Sequence, residues 1–354
     1  MSAAYREVTF AIPGDIATRT GGYGYDRRLL QMLANEGLAA THLVLPGSFP
    51  APSAADMAET AKLLRAVPRQ HVLLVDGLAC GVLPPDLMAS LAVPVVALVH
   101  HPLGLETGLD AGERRRLLVA ETTALQNVRQ VIVTSPLTAK LVAQELGVPP
   151  DRITVAEPGT DAALRALGSG GYPATLLAAG AIIPRKGYDV LVDALARLQD
   201  IDWQLVLAGS AERAPQTARA LTAQIAARGL AGRITLLGEL EPDVLDAAYD
   251  SADIFVMSSH FEGYGMVLAE AMARGLPVVT TRGGAAAETV PNSAGLKVPP
   301  DDAPALAVAL RRMITDKALR EACSEEAWQA GQTLPRWTDT ARIVAAALRA
   351  VRAR

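Results

Sequence analysis

The sequence predicts an α/β protein made of two doubly wound parallel-sheet domains, and three observations predict it. Short apolar runs of four to six residues recur along the chain, separated by stretches with helical spacing, which is the pattern of buried parallel strands alternating with helices. Midway a Gly/Ser segment interrupts the pattern, and the same rhythm then restarts. Half of the 354 residues are hydrophobic and only 4% are aromatic, with Ala, Leu and Val dominant. That composition suits helices laid on buried strands.

The first strand is read at Val8 to Ile12, followed by a turn at Gly21 and Gly22 and a helix from Tyr25 to Asn35. Further strands are read at His71 to Val75, Val95 to Val99, Gln130 to Thr134 and Arg152 to Val155. They complete an N-terminal domain over residues 1–166. Leu167 to Pro173 (LGSGGYP) is the linker, because consecutive Gly and Ser bury nothing. A C-terminal domain over 167–335 then carries strands at Thr175 to Ala179, Trp203 to Ala208, Arg233 to Leu237, Ile254 to Ser258 and Val278 to Thr281. Residues 336–354 follow Pro335 and place Ile343, Ala346, Leu348 and Val351 at helical spacing. This terminal helix is expected to pack back on the N-terminal domain, and the two sheets are expected to face a cleft.

Several function classes fall away on composition. A net charge of −4 gives no electrostatic footprint for nucleic acid. Cys80 and Cys323 lack companions at metal-ligand spacing, so no metal and no disulfide framework is expected. The N-terminal stretch reaches Pro13 and Gly14 too soon for a signal peptide, so a cytoplasmic location is expected. No run is long enough to cross a membrane, although the basic run Glu113 to Arg116 leaves a peripheral contact with anionic lipid open. There is no G-x-S-x-G elbow for a hydrolase and no phosphate loop of the G-x-x-x-x-G-K-[ST] type. Asp200-Ile201-Asp202 reads as a turn before a strand.

The chemistry is concentrated in residues 258–279, SSHFEGYGMVLAEAMARGLPVV, where a strand ends, a loop turns and a helix begins. Open parallel sheets bind ligands at that edge. Gly263 and Gly265 let backbone approach a ligand, and the amides of Gly265, Met266 and Val267 at the helix start attract a diphosphate. Glu262 precedes the turn. Glu270 lies roughly 7.5 Å further along the helix axis, a reach that suits hydroxyl groups beside the anion. A second stretch, AAGAIIPRKGYDVL at 178–191, carries Arg185 and Lys186 after a strand. His100 and His101 end another strand, with His100 favoured, and Asp15 and Glu106 are weaker acceptor-side candidates.

These stretches resemble glycosyltransferase family 4, the retaining nucleotide-sugar transferases with two Rossmann-like domains called GT-B. Glu262 and Glu270 match the family's paired glutamates separated by seven residues. AEPGTD at 156–161 resembles its domain-closing segment, and TGGYGYDRRL at 20–29 resembles its N-terminal diglycine loop. Lys186 matches the family lysine. The arginine expected directly after Gly180 is replaced by Ala181, with Arg185 beside Lys186 instead.

The resemblance implies a catalytic set of Lys186, Arg185, His100 and Glu262. It implies a donor-binding set of Gly21, Gly22, Gly180, Lys186, Gly263, Tyr264, Gly265, Met266, Val267 and Glu270, with no cofactor and no metal. The donor is then a nucleoside-diphosphate sugar and the acceptor a glycan, a lipid-linked sugar or a small metabolite, in cell-envelope glycan or glycoconjugate synthesis. A sugar-nucleotide epimerase on the same fold and a non-catalytic sugar-nucleotide-binding subunit are the alternatives.

Overall fold

The computed structural model describes residues 7–171 and 173–351. Residues 1–6, Tyr172 and 352–354, which belong to the N-terminal stretch, the linker and the terminal helix read above, lie outside the described residues. The chain divides into two compact units, one running to Gly159 and resuming at Pro335, the other Thr160–Leu334.

In the first unit six parallel strands, β1 (Glu7–Pro13), β2 (Ala39–Leu45), β3 (His71–Asp76), β4 (Val95–Val99), β5 (Gln130–Val133) and β6 (Ile153–Val155), stand in the order 2-1-3-4-5-6. Every residue of β4 and all but the first of β1 and β3 are buried or nearly so, which is why these strands read as unbroken apolar runs. β2 went unread because its residues alternate in exposure along the sheet edge, with Val44 56% exposed.

Six helices accompany the sheet: α1 (Gly21–Leu33), α2 (Ala54–Arg65), α3 (Gly77–Cys80), α4 (Pro85–Ser90), α5 (Ala111–Gln126) and α6 (Pro136–Glu145). Their starts are chemically marked. Thr20, Ser53, Asp76, Asp110 and Ser135 each accept a backbone N–H of the first turn, which satisfies donors that the helix cannot. The Thr20 cap corrects one expectation: Gly21 and Gly22 are the first turn of α1, not a loop ahead of it.

The second unit repeats the plan with β7 (Ala174–Ala179), β8 (Trp203–Ala208), β9 (Ile234–Gly238), β10 (Ile254–Met257), β11 (Val278–Thr281) and β12 (Gly295–Val298), in the order 12-11-10-7-8-9. All the pairings are parallel. Its helices are α7 (Tyr188–Leu195), α8 (Pro215–Ala227), α9 (Pro242–Asp250), α10 (Met266–Ala273), α11 (Ala286–Thr289), α12 (Ala303–Thr315) and α13 (Lys317–Thr333). β12 went unread because its four residues include a Gly and a Lys.

The boundary lies upstream of the expected position after residue 166, because Thr160 to Gly168 already bind the second unit. The N–H of Ala166 donates to Arg274 O, that of Gly168 to Asp250 O, and Arg165 pairs with Glu325 at 2.8 Å. The terminal helix α14 (Trp337–Ala350) belongs to the first unit. There the Thr340 hydroxyl donates to Glu157 O at 2.7 Å, and Trp337 packs edge to face on Tyr25 at 5.7 Å. Among the described residues no helix is long and apolar enough to cross a membrane.

Strand order locates where ligands can bind. Successive connections lead away from β1 to β2 on one side and to β3 on the other, and away from β7 to β8 on one side and to β10 on the other. Such reversals leave a crevice at the C-terminal ends of the diverging strands. In the second unit, Gly180 to Lys186 and Ser258 to Gly265 are the segments that leave β7 and β10.

Candidate functional site

The two segments at the β7/β10 reversal are stitched together by backbone. His260 N–H donates to Arg185 O at 2.8 Å, and the Ser258 hydroxyl donates to Lys186 O at 3.0 Å. A short 3-10 turn, Pro184–Lys186, ends at Gly187 in the left-handed region (φ 59°) and aims the two cations. Lys186 Nζ lies 2.7 Å from Glu262 Oε1, and Arg185 Nη1 lies 3.4 Å from Glu262 Oε2 while donating to Phe261 O at 2.8 Å. Arg185 thus reaches the same carboxylate as Lys186, although Ala181 stands where the family arginine was expected.

Glu262 is only 6% exposed. Burial alone would raise its pKa, but Lys186 and then Arg185 outweigh that and hold it below the usual carboxylate range. Its main chain is clamped as well, because Glu262 N–H donates to Gly283 O at 3.1 Å and Ala285 N–H donates to Glu262 O at 2.8 Å. Gly180, at φ 139°, is needed next to this cluster: a Cβ there would come within 3.0 Å of Lys186 Cε.

Beyond the loop, Gly265 at φ 91° opens α10, and no side chain caps the helix. The first-turn amides, including those of Met266 and Val267, therefore present the positive end of the helix without a side-chain acceptor. Gly263 and the buried Tyr264 lie on the approach. Glu270 stands half-buried one turn on and accepts the Tyr249 hydroxyl at 2.9 Å. Burial raises its pKa, with the Tyr249 hydrogen bond and the Arg274 charge pulling the other way. Arg274 lies 4.6 Å over the Tyr249 ring and donates to Glu270 O at 3.0 Å, so Glu270 is braced from two sides.

In the first unit His100 ends β4. Its Nε2 lies 3.1 Å from Asp26 Oδ1 and 3.5 Å from Asp76 Oδ2. The ring meets Tyr25 edge to face at 5.3 Å, and a Cβ on Gly22 would come within 3.3 Å of His100 Cδ2. Gly22 thus serves the histidine, and Gly21 beside it opens α1. His101 is half-buried next to His100, while Asp15 and Glu106 are exposed, with Asp15 accepting the N–H of Ala17 in its own turn.

Asp26 and Asp76 are almost wholly buried. With His100 they offer three ligand-type atoms within 4.8 Å of one another. Asp76 Oδ1, however, already caps α3 by accepting Leu78 N–H, and the Asp26 contact has hydrogen-bond length. Each of the three side chains thus already spends one atom on a hydrogen bond.

Sequence reasoning missed Asp26, Asp76, Tyr249 and the Gly283–Gly284 pair. Only the glycines carried a readable signal: a doublet directly after the apolar strand Val278 to Thr281 marks a turn at a ligand-binding edge.

Two family models match the chain, one in each half. Residues 161–330 match the family described as glycosyl transferases group 1, and residues 19–164 match glycosyltransferase family 4. The chain belongs to the family 4 glycosyltransferases and has their GT-B fold. A D-inositol 3-phosphate glycosyltransferase of Corynebacterium efficiens is 28% identical over 274 residues, covering 70% of this chain and 64% of that protein. The chain spans less than two thirds of the length of the first such relatives it matches.

Among solved structures, sucrose-phosphate synthase of Thermosynechococcus elongatus has a TM-score of 0.81 at 23% identity, covering 94% of this chain and 96% of that one. HepE of Anabaena, in complex with UDP and glucose, has a TM-score of 0.76 at 18% identity, covering 97% and 100%. At these identities the likeness establishes the fold.

Proposed function

We propose that the protein transfers a sugar from a nucleoside-diphosphate sugar to a hydroxyl acceptor with retention of anomeric configuration and without a metal. The observation that carries this reading is the convergence of Lys186 and Arg185 at the β7/β10 reversal, in the same unit as the uncapped start of α10 and Glu270. Two preorganised cations and a helix N-terminus suit a diphosphate, whose charge grows as the glycosidic bond breaks. Glu262 then faces the sugar and Glu270 the ribose hydroxyls. In a retaining transfer the acceptor attacks the face from which the diphosphate leaves, and a leaving-group oxygen takes the acceptor proton, so no protein nucleophile is required.

The UDP bound by HepE makes UDP the first nucleotide to try, with GDP and ADP beside it. Thermal melting of the protein with each diphosphate and its sugars is the direct test, since a ligand at about a hundred times its Kd adds roughly 2.7 kcal/mol. One nucleotide family is expected to raise the melting temperature, and Glu270→Ala is expected to abolish the rise. Glu262→Ala is expected to leave nucleotide binding nearly intact and to lower turnover. Wild-type binding and rate in both variants would remove the paired glutamates from the site. Inositol 3-phosphate, the compound in the relatives' name, is the first acceptor to supply, and turnover of the donor without any acceptor would indicate an epimerase instead.

A further inference from the structure

We propose that Asp26 and Asp76 are positioning residues that hold His100 with Nε2–H turned into the interior, so that Nδ1 is the nitrogen offered to a ligand oxygen. The proposal takes from the functional reading only that His100 meets a ligand.

The geometry leaves the ring little choice. Asp26 comes from α1, Asp76 from the end of β3 and His100 from the end of β4, so three elements that meet at the β1/β3 reversal fix one imidazole. Both aspartates are buried, at 0% and 1% exposure, whereas the His100 side chain keeps 23%. Gly22 covers the Cδ2 edge and Tyr25 packs against the ring. Among the described residues Nδ1 has no hydrogen-bond partner, and the Nδ1 edge is the one left uncovered. A glycine at 22 is what permits this approach, since any side chain would press on the ring.

The charge arrangement also favours a protonated imidazole. Two buried carboxyls side by side cannot both ionise without a counterion. Burial, then the Asp26 charge, pushes Asp76 up to about 7. Burial on its own would lower the His100 pKa, but Asp26 and then Asp76 outweigh it and raise it above the ordinary value. The titratable groups facing the ring are Asp26 and Tyr25 from α1 and Asp76 from β3. Just after β5, the neutral Thr134 hydroxyl reaches this residue, donating to its carbonyl. His42 on β2 also feels the Asp26 charge. An imidazolium with Nε2–H spent on carboxylates presents Nδ1–H as a donor, which selects an acceptor oxygen such as a sugar hydroxyl or phosphate. Asp26 Oδ2 is buried without a hydrogen-bond donor, so the pair holds capacity for the shared proton.

The test is long-range proton–nitrogen correlation on the full-length protein labelled at its five histidines, with His100→Gln assigning the signal. In the wild type, the His100 ring is expected to titrate above the ordinary histidine range near 6.5 and, once neutral, to keep its proton on Nε2. Asp26→Asn is expected to lower that titration and to weaken the preference for Nε2–H. The wild-type titration alone decides the matter if that variant does not fold. A neutral wild-type ring protonated on Nδ1 would overturn the proposal. So would displacement of the Nε2 proton by stoichiometric zinc chloride, which would make the triad a cation site.

With UDP-glucose as the probe and a working acceptor, Asp26→Asn is expected to lower kcat about tenfold while UDP binding stays unchanged. Absence of any turnover in the wild type would count against the transferase reading and leave the nitrogen spectrum to judge His100.

Discussion

Lys186→Ala is expected to lower turnover at least about a hundredfold, with a much smaller change in nucleotide affinity. A hundredfold corresponds to roughly 2.7 kcal/mol of barrier, the low end of what one preorganised polar contact supplies to a developing anion. The reason for a kinetic effect larger than the binding effect is that Lys186 is already neutralised in the resting protein. Glu262 lies 2.7 Å from its ammonium, so a donor gains little net charge interaction on arrival. The gain comes when the leaving diphosphate acquires charge and the ammonium can respond without reorganising. Removing Lys186 also leaves Glu262 facing Arg185 alone, at 3.4 Å, so a modest fall in melting temperature should accompany the kinetic loss. Lys186→Arg keeps the charge but spreads it over a planar fork that cannot occupy the same point, and an intermediate rate is expected. Steady-state kinetics beside UDP titrations of the three proteins separates these effects. Unchanged kcat in the alanine variant would take Lys186 out of the chemistry.

Much of this site was legible because its parts are local. A strand, a glycine turn and a helix start lie within 258–279, and the cations lie in one loop after a strand, where the family resemblance picked them out. What spacing could not deliver was anything made by distant partners. Asp26 sits in YDRRL, three of whose five residues are charged; its partner His100 lies 74 positions away. Asp76 caps α3, and its second role appears only when β3 and β4 lie side by side. Tyr249 ends a helix with no signal that its hydroxyl meets Glu270. The strands divide in the same way. Central β4, β8 and β11 were read with their observed ends, whereas edge strands β2 and β12, half-exposed and carrying polar residues, were not. The diglycine at 21–22 was read as a loop because glycine marks turns, and Thr20 overrides that by capping the helix at their N-terminal side.

Gly284→Ala is expected to cost about 2–5 kcal/mol of stability in the second unit and to lower turnover at least about tenfold well below its melting temperature. Two strains add here. Gly284 has φ 66°, a left-handed conformation that disfavours a side chain by roughly 1–2 kcal/mol. A Cβ at that point would also lie 2.3 Å from Glu262 O and 2.8 Å from Glu262 N, so the chain must move away from the very residue it clamps. Glu262 and Gly284 form a β-bridge, and Gly283 and Ala285 hold the two backbone hydrogen bonds of Glu262. Separation would therefore shift the carboxylate away from Lys186 and Arg185. Gly284→Asn divides the causes, because asparagine tolerates the left-handed region yet carries the same Cβ. If close approach dominates, asparagine should recover part of the stability and little of the turnover. Gly232→Ala is the control, since nothing lies within 4 Å of a Cβ there, and it should melt and turn over as the wild type. Thermal melts with donor turnover at a fixed low temperature would decide it. A Gly284→Ala protein with wild-type stability and rate would show that the clamp on Glu262 is dispensable.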